Sequence, residues 1–234
     1  MAQTPEQPPP DADSWLVHQW VVAGIVSAAG RFVPVPFVDD MVRTQCRKFV
    51  IKRTLAAHDR SELYPELEAL YDEGSKGFIA GALGTTARAA RKLLLFPIRK
   101  VVAIATSARG VPLEVMRVVL LGRTLDRRLR QGAFTAADAP RLRAAFEKAF
   151  AGMDLRVVRA ALKDALTGVS GLKSAAVKSA RQVAGHPTDP EAVNQAEPTV
   201  QAGATQVQQA LDRPEMLELF AKFDHRVDEA LARA

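Results

Sequence analysis

The sequence predicts an all-α protein: an irregular multi-helix bundle of about eight to ten helices with a glycine-faced central helix. Aromatic residues make up only 6% of the 234 residues and alanine is abundant, which favours helices over strands. Apolar residues recur with helical spacing along most of the chain, and alternating strand patterns and hairpin turns are not found. A chain of this length can bury a core without disulfides or metal ions.

The helices are predicted from runs with a 3.6-residue apolar period and from the signals that begin and end them. They are expected over residues 14–30, 41–58, 61–73, 74–109, 113–132, 136–152, 155–168, 171–185 and 212–234. The start signals are N-capping side chains and a first-turn proline, namely Asp39 or Asp40, Pro112, the pair Thr135 and Asp138, and Asp154. Pro97 is expected to break or kink the fourth helix.

Composition divides the chain into four parts. Residues 1–13 are acidic and proline-rich and lack the basic and apolar pattern of a secretory signal, so we expect a disordered tail. A helical core domain is predicted over 14–184. Residues 185–211 contain several prolines and no clear period, which indicates a flexible linker, and an amphipathic helix is predicted over 212–234.

The segment "GSKGFIAGALG" (residues 74–84) contains glycines with a spacing of three, four and three. A phosphate-binding loop is excluded, because no Gly-Lys-Ser/Thr follows a strand and the dinucleotide pattern is absent. On a helix these glycines share one side, which allows a neighbouring helix to approach closely. The predicted helix-packing residues are Gly74, Gly77, Gly81 and Gly84.

Two apolar segments, residues 14–30 and 77–108, leave two alternatives open: burial in the core or insertion into lipid. Neither contains an uncharged run of about 20 residues, the length that a membrane span requires. Aromatic residues that suit the headgroup boundary are the predicted membrane anchors, namely Trp15, Trp20 and Phe96.

The chain is basic, with a formal net charge of +6, and its positive charge is concentrated in residues 86–130. That segment contains eleven Lys and Arg against two acids, a balance of +9. Such a cluster is a solvated face, a surface for anionic lipid, or a surface for nucleic acid. The residues predicted to bind an anionic surface are Arg88, Arg91, Lys92, Arg99, Lys100, Arg123, Arg127 and Arg128.

The C-terminal helix has one apolar stripe along its length, formed by Leu217, Phe220, Phe223, Val227 and Leu231. We predict that it recruits a partner protein, since a short amphipathic helix after a linker often docks in a groove. The alternative is that the stripe folds back on the core of its own chain.

The sequence contains no recognisable catalytic, cofactor or metal motif, so we assign no catalytic residue, no cofactor and no metal site. The four histidines are scattered without metal-binding spacing. Cys46, the single cysteine, excludes an intramolecular disulfide and is compatible with a reducing cytoplasm. Nearby basic residues would favour a thiolate, but its apolar helix face indicates a core cysteine.

The stretch "PVPFVDD" (Pro34 to Asp40), followed about 18 residues later by the helix end "AAHD", resembles the helix entry of bacterial EcsC-type proteins and of the membrane-associated helical tails of some GTPases. The glycine-rich apolar helix is similar to theirs as well. The resemblance implies membrane association and supplies no catalytic residue. The segment "VRTQCRKFVIKR" carries more charge than such helices usually do, which favours peripheral attachment over insertion.

These observations together predict a non-enzymatic helical interaction protein of the cytoplasm. We expect it to associate peripherally with the inner face of a membrane, or with a membrane protein complex, through basic amphipathic helices. The alternative is a soluble, nucleoid-associated protein that binds nucleic acid through the same cations. An enzyme whose site assembles from distant positions is a third hypothesis.

Overall fold

The computed structural model describes residues 12–71, 110–132 and 134–233 of the chain. Within these ranges the structure consists of α-helices and short 3-10 helices and contains no strand, which confirms the all-α fold class. The α-helices, numbered in chain order, are α1 (Ala12–Ala29), α2 (Val38–Ala57), α3 (Glu68–Tyr71), α4 (Val111–Arg130), α5 (Ala139–Ala151), α6 (Leu155–Thr167), α7 (Leu172–Gly185), α8 (Pro198–Leu211) and α9 (Pro214–Ala232). The 3-10 helices cover Gly30–Phe32, Ser61–Glu66, Ala136–Asp138 and Pro190–Gln195.

Helix α1 lies at the centre of the described bundle. It packs against α2, α4, α7 and α8, and every residue from 20 to 30 is buried. A helix that is apolar on all sides has to be surrounded by other helices, which is the arrangement found here. Of the two alternatives for residues 14–30, the structure therefore shows burial in the core. In the described ranges, no helix combines the length and the apolar character needed to cross a bilayer.

Helices α1 and α4 approach each other closely at two glycines. A Cβ atom added to Gly24 would lie 3.0 Å from the Cα atom of Val115, and one added to Gly122 would lie 2.5 Å from the ring of Trp20. Close packing on glycine is thus present between α1 and α4. The glycine face that the sequence predicts, at residues 74–84, lies outside the described residues.

The prediction of a flexible linker over 185–211 is wrong. Helix α8 occupies the second half of this segment, with Pro198 in its first turn, and it packs against α1, α6 and α7. Half of its buried residues are Gly or Ala, including Gly203, which lies against Leu172, and Ala204. Because Gly and Ala carry little hydrophobicity, this helical period is weak in the sequence although the helix is well packed.

Two predicted helix beginnings also differ from the structure. Helix α2 is entered through Phe37, which has a left-handed backbone with φ of 67°, and no side chain caps it. Asp39 instead accepts a hydrogen bond from Arg43 at 3.1 Å, one turn further along. The expected acidic helix over 61–73 is a 3-10 helix that contains Pro65, followed by the short α3. Proline has no N–H to donate within a helix, which explains why an α-helix does not run through this position.

Helix α9 is part of the described bundle. It packs mainly on α5, where the ring of Phe223 meets the ring of Phe146 edge-on at a centroid distance of 5.7 Å. Met216 at its beginning is fully buried. The helix starts at Pro214, two residues later than its predicted beginning at Asp212.

Candidate anionic-surface interface

Two of the arginines predicted to bind an anionic surface form a ladder of ion pairs between α4 and α9. The guanidinium of Arg123 donates to both carboxylate oxygens of Asp224, at 2.7 and 3.4 Å. One turn later, Arg127 donates to both oxygens of Asp228, at 2.5 and 2.9 Å. These hydrogen bonds raise the pKa of Arg127. Because both pairs are spaced by four residues, they lie on facing sides of the two helices.

The third predicted arginine of this helix, Arg128, is also paired within the chain. Its guanidinium donates to Asp228 at 3.1 Å and to the amide oxygen of Gln131 at 2.8 Å. The assignment of Arg123, Arg127 and Arg128 to an anionic surface is therefore corrected, since each of them is ion-paired with Asp224 or Asp228 of α9. The remaining five residues predicted to bind an anionic surface lie outside the described residues, namely Arg88, Arg91, Lys92, Arg99 and Lys100. The predicted membrane anchor Phe96 also lies outside them.

The two tryptophans predicted as membrane anchors have different environments. Trp20 is only 3% exposed, and its indole Nε1 donates to the hydroxyl of Thr54 at 3.0 Å, so its assignment as an anchor is wrong. Its role is to fill the space beside Gly122 in the core. Trp15 is 41% exposed, with the guanidinium of Arg53 lying 6.0 Å from its ring.

The apolar stripe of the C-terminal helix packs on its own chain. Phe220, Phe223 and Val227 are buried, and Leu231 is half-buried against the core. For these residues the prediction of a surface for a partner protein is wrong, because the stripe packs mainly on α5 and the guanidinium of Arg123 lies over the ring of Phe220 at 5.1 Å. Leu217 is the exception, with 52% of its surface exposed.

A second set of charges is buried where α1, α2 and α4 meet. The hydroxyl of Ser27 donates to Glu114 at 2.7 Å, and Arg43 and Arg47 lie 3.7 and 4.0 Å from the same carboxylate. Glu114 and Arg47 are nearly inaccessible to solvent, so pairing is what makes their burial tolerable. Cys46 beside them is fully buried, and burial raises the pKa of its thiol, as expected for a core cysteine.

Exposed basic residues instead follow helices α6 and α7, which we call the basic helix pair. Residues 155–185 contain six cations and one acid, Asp164, a balance of +5. All six cations are exposed: Arg156, Arg159, Lys163, Lys173, Lys178 and Arg181. Two of them have acidic partners at 2.9 Å, Arg156 with Asp154 and Lys178 with Glu197. In the described part of the chain, the other four form no ion pair.

The two helices present these cations because their opposite sides are buried. Helix α6 buries Val158 and Leu162 against α4 and α8, and α7 buries Leu172 and Val183 against α1 and α8. Charge density along the sequence did not indicate this surface, because residues 86–130 carry a larger excess of positive charge. The amphipathic pattern of residues 155–185 was the available signal, since it separates cations from apolar residues at helical spacing.

Helices α6 and α7 thus carry exposed guanidinium and ammonium groups on one side and buried apolar residues on the other. The resemblance of Pro34 to Asp40 to EcsC-type proteins stays a prediction. Comparison of the chain with protein-family models, with curated proteins and with solved structures gives no match.

Proposed function

We propose that the protein is a non-enzymatic helical protein that associates peripherally with an anionic membrane surface through the basic helix pair. The observation that carries this proposal is the set of four exposed cations on α6 and α7 without an acidic partner in the described residues: Arg159, Lys163, Lys173 and Arg181. Each basic residue near an anionic leaflet contributes about 1 kcal/mol, so these four supply about 4 kcal/mol. The cytoplasmic leaflet is rich in anionic lipid, which is the face we assign.

The lack of aromatic residues among the cations of residues 155–185 favours lipid over nucleic acid as the partner. Proteins that bind single-stranded nucleic acid stack bases on aromatic side chains placed among the basic residues. Residues 155–185 contain no Phe, Tyr or Trp. A lipid surface requires only the charges and some apolar contact, and its headgroups adapt to their spacing.

Vesicle flotation tests this proposal with two variants of equal charge. In the first, Arg159, Lys163 and Arg181 are replaced by Gln, which lowers the net charge from +6 to +3. The matched control replaces three exposed cations of α5 and the α9 region, Lys148, Arg213 and Lys222, with the same effect on net charge. We expect the wild type and the control to float with phosphatidylglycerol-containing vesicles at low salt, and the first variant to remain at the bottom.

Two outcomes would contradict the proposal. Equal loss of flotation in both variants would mean that net charge, and not the basic helix pair, drives binding. No flotation of the wild type, together with strong and salt-sensitive binding to duplex DNA of arbitrary sequence, would establish the nucleic-acid alternative.

A further inference from the structure

A turn of four apolar residues is exposed between the 3-10 helix Gly30–Phe32 and helix α2. Pro34, Val35, Pro36 and Phe37 are all exposed, and the exposed fractions of Val35 and Phe37 are 50% and 52%. Such side chains gain free energy whenever a partner removes them from water. Single exposed apolar residues are common on protein surfaces, but four consecutive ones mark a contact surface.

The backbone holds this turn in one conformation. The N–H of Val35 donates to the carbonyl of Val33 at 2.8 Å, and the N–H of Met41 donates to the carbonyl of Phe37 at 3.1 Å. The two prolines restrict φ, and the flanking Val33 and Val38 are buried. A preorganised turn loses little conformational entropy when it meets a partner.

Phe37 occupies a backbone conformation that bulky residues rarely adopt, with φ of 67°. The turn is thus maintained with an exposed aromatic ring at a strained position. Strain of this kind is concentrated at functional sites, where the surrounding structure maintains it.

The turn adjoins the basic helix pair through Lys173. The ammonium of Lys173 lies 4.9 Å from the ring centroid of Phe32, two residues before Pro34, and α7 packs against this 3-10 helix. Lys173 is one of the four cations without an acidic partner in the described ranges. An apolar element beside cations is the combination that peripheral proteins use at the headgroup boundary of an anionic bilayer.

We propose that the turn from Pro34 to Phe37 inserts into the interfacial layer of an anionic bilayer while the basic helix pair binds the headgroups. This inference rests on the proposed function and adds to it the residues that enter the membrane. The two contributions differ in their response to salt, because ions screen the cations and leave apolar insertion unaffected.

A single fluorescent label tests the insertion. The only native cysteine, Cys46, is fully buried, so a Val35→Cys variant presents one accessible thiol for an environment-sensitive nitrobenzoxadiazole probe. We expect the emission to increase and shift to the blue with phosphatidylglycerol-containing vesicles, and brominated acyl chains to quench it. The matched control is Leu217→Cys on α9, which is 52% exposed and whose emission should not change.

A Phe37→Asn variant measures the contribution of insertion to affinity. Asn adopts the left-handed conformation more readily than Phe, so the turn is retained while its apolar ring is removed. We expect about tenfold weaker vesicle binding, equivalent to about 1.4 kcal/mol, and greater loss on addition of salt. Leu217→Asn is the control and should bind as the wild type does.

The outcomes separate this inference from the proposed function. Flotation of the wild type with an unchanged probe at position 35 would overturn insertion and leave the electrostatic attachment intact. An equal response of the probes at positions 35 and 217 would also overturn it, since neither site would then be specific. Absence of flotation of the wild type at low salt would overturn both.

Discussion

Replacement of Gly122 by alanine tests the close packing of α1 on α4. The added Cβ would lie 2.5 Å from Cδ2 and Cε2 of the Trp20 ring and 2.6 Å from its Nε1. Real contacts of a Cβ atom are almost always longer than 3.0 Å. The ring cannot move freely, because it is 3% exposed and its Nε1 donates to Thr54, whose hydroxyl donates to the carbonyl of Val50 at 2.8 Å.

The magnitude follows from three contributions. Overpacking of a core costs about 1–3 kcal/mol, and loss of the indole hydrogen bond would add about 1 kcal/mol. Alanine is a better helix former than glycine by about 1 kcal/mol, which offsets part of this cost. We therefore expect Gly122→Ala to lower the free energy of unfolding by about 2 kcal/mol and Tm by about 4–8 °C for a chain of this size.

Urea unfolding followed by far-UV circular dichroism measures the change, with two matched variants beside it. Gly185→Ala introduces the same methyl group at the end of α7, where no atom lies within 4 Å of the added Cβ, and should stabilise the protein slightly. Trp20→Phe in the Gly122→Ala background relieves the collision, so the double variant should be more stable than the sum of the single effects predicts. A Gly122→Ala protein as stable as the wild type would refute the packing argument, as would additive effects of the two substitutions.

Three further predictions concern one ion pair and two titratable side chains. A double-mutant cycle on Arg123 and Asp224 should give a coupling free energy of about 1 kcal/mol that decreases with salt, and additive single effects would contradict the ion pair. Cys46 should react with a thiol reagent only as the protein unfolds, since burial raises the pKa of its thiol; rapid labelling of the folded protein would disprove this. Hydrogen bonds from Arg156 hold the pKa of Asp154 down to about 2, so the capping carboxylate stabilises the fold at neutral pH and loses this effect as the pH falls from about 4 towards 2. The urea midpoints of wild type and Asp154→Ala should converge over that range, and a constant difference would argue against the assignment.

Local signals in the sequence predicted several helix beginnings correctly. Thr135 and Asp138 form the expected capping box, Asp154 accepts from the backbone N–H of Arg156, and Pro112 lies in the first turn of α4. Each of these interactions joins residues within one turn, so the spacing along the chain is enough to predict it.

The candidate interface could be predicted only in part, because a charge is available to a partner only when no other helix neutralises it. Arg123 and Asp224 are 101 positions apart, and nothing in the local pattern of either helix indicates that they meet. The same applies to Trp20, whose exposure depends on the helix that packs beside it. Charge density alone therefore pointed to α4, whereas the four exposed cations without an acidic partner that carry the proposal are on α6 and α7 in the described part of the chain.

The sequence by itself determined that this chain is helical, where most of its helices begin, and that it carries a net positive charge. Those properties follow from the 3.6-residue period, from capping side chains and from composition, all of which are local. The tertiary structure decided that α8 is a packed helix, that the apolar stripe of α9 is covered, and which arginines remain exposed. Those outcomes depend on which helix faces meet. Contacts between segments far apart in the sequence determine this, and the spacing of residues within a single helix does not reveal it.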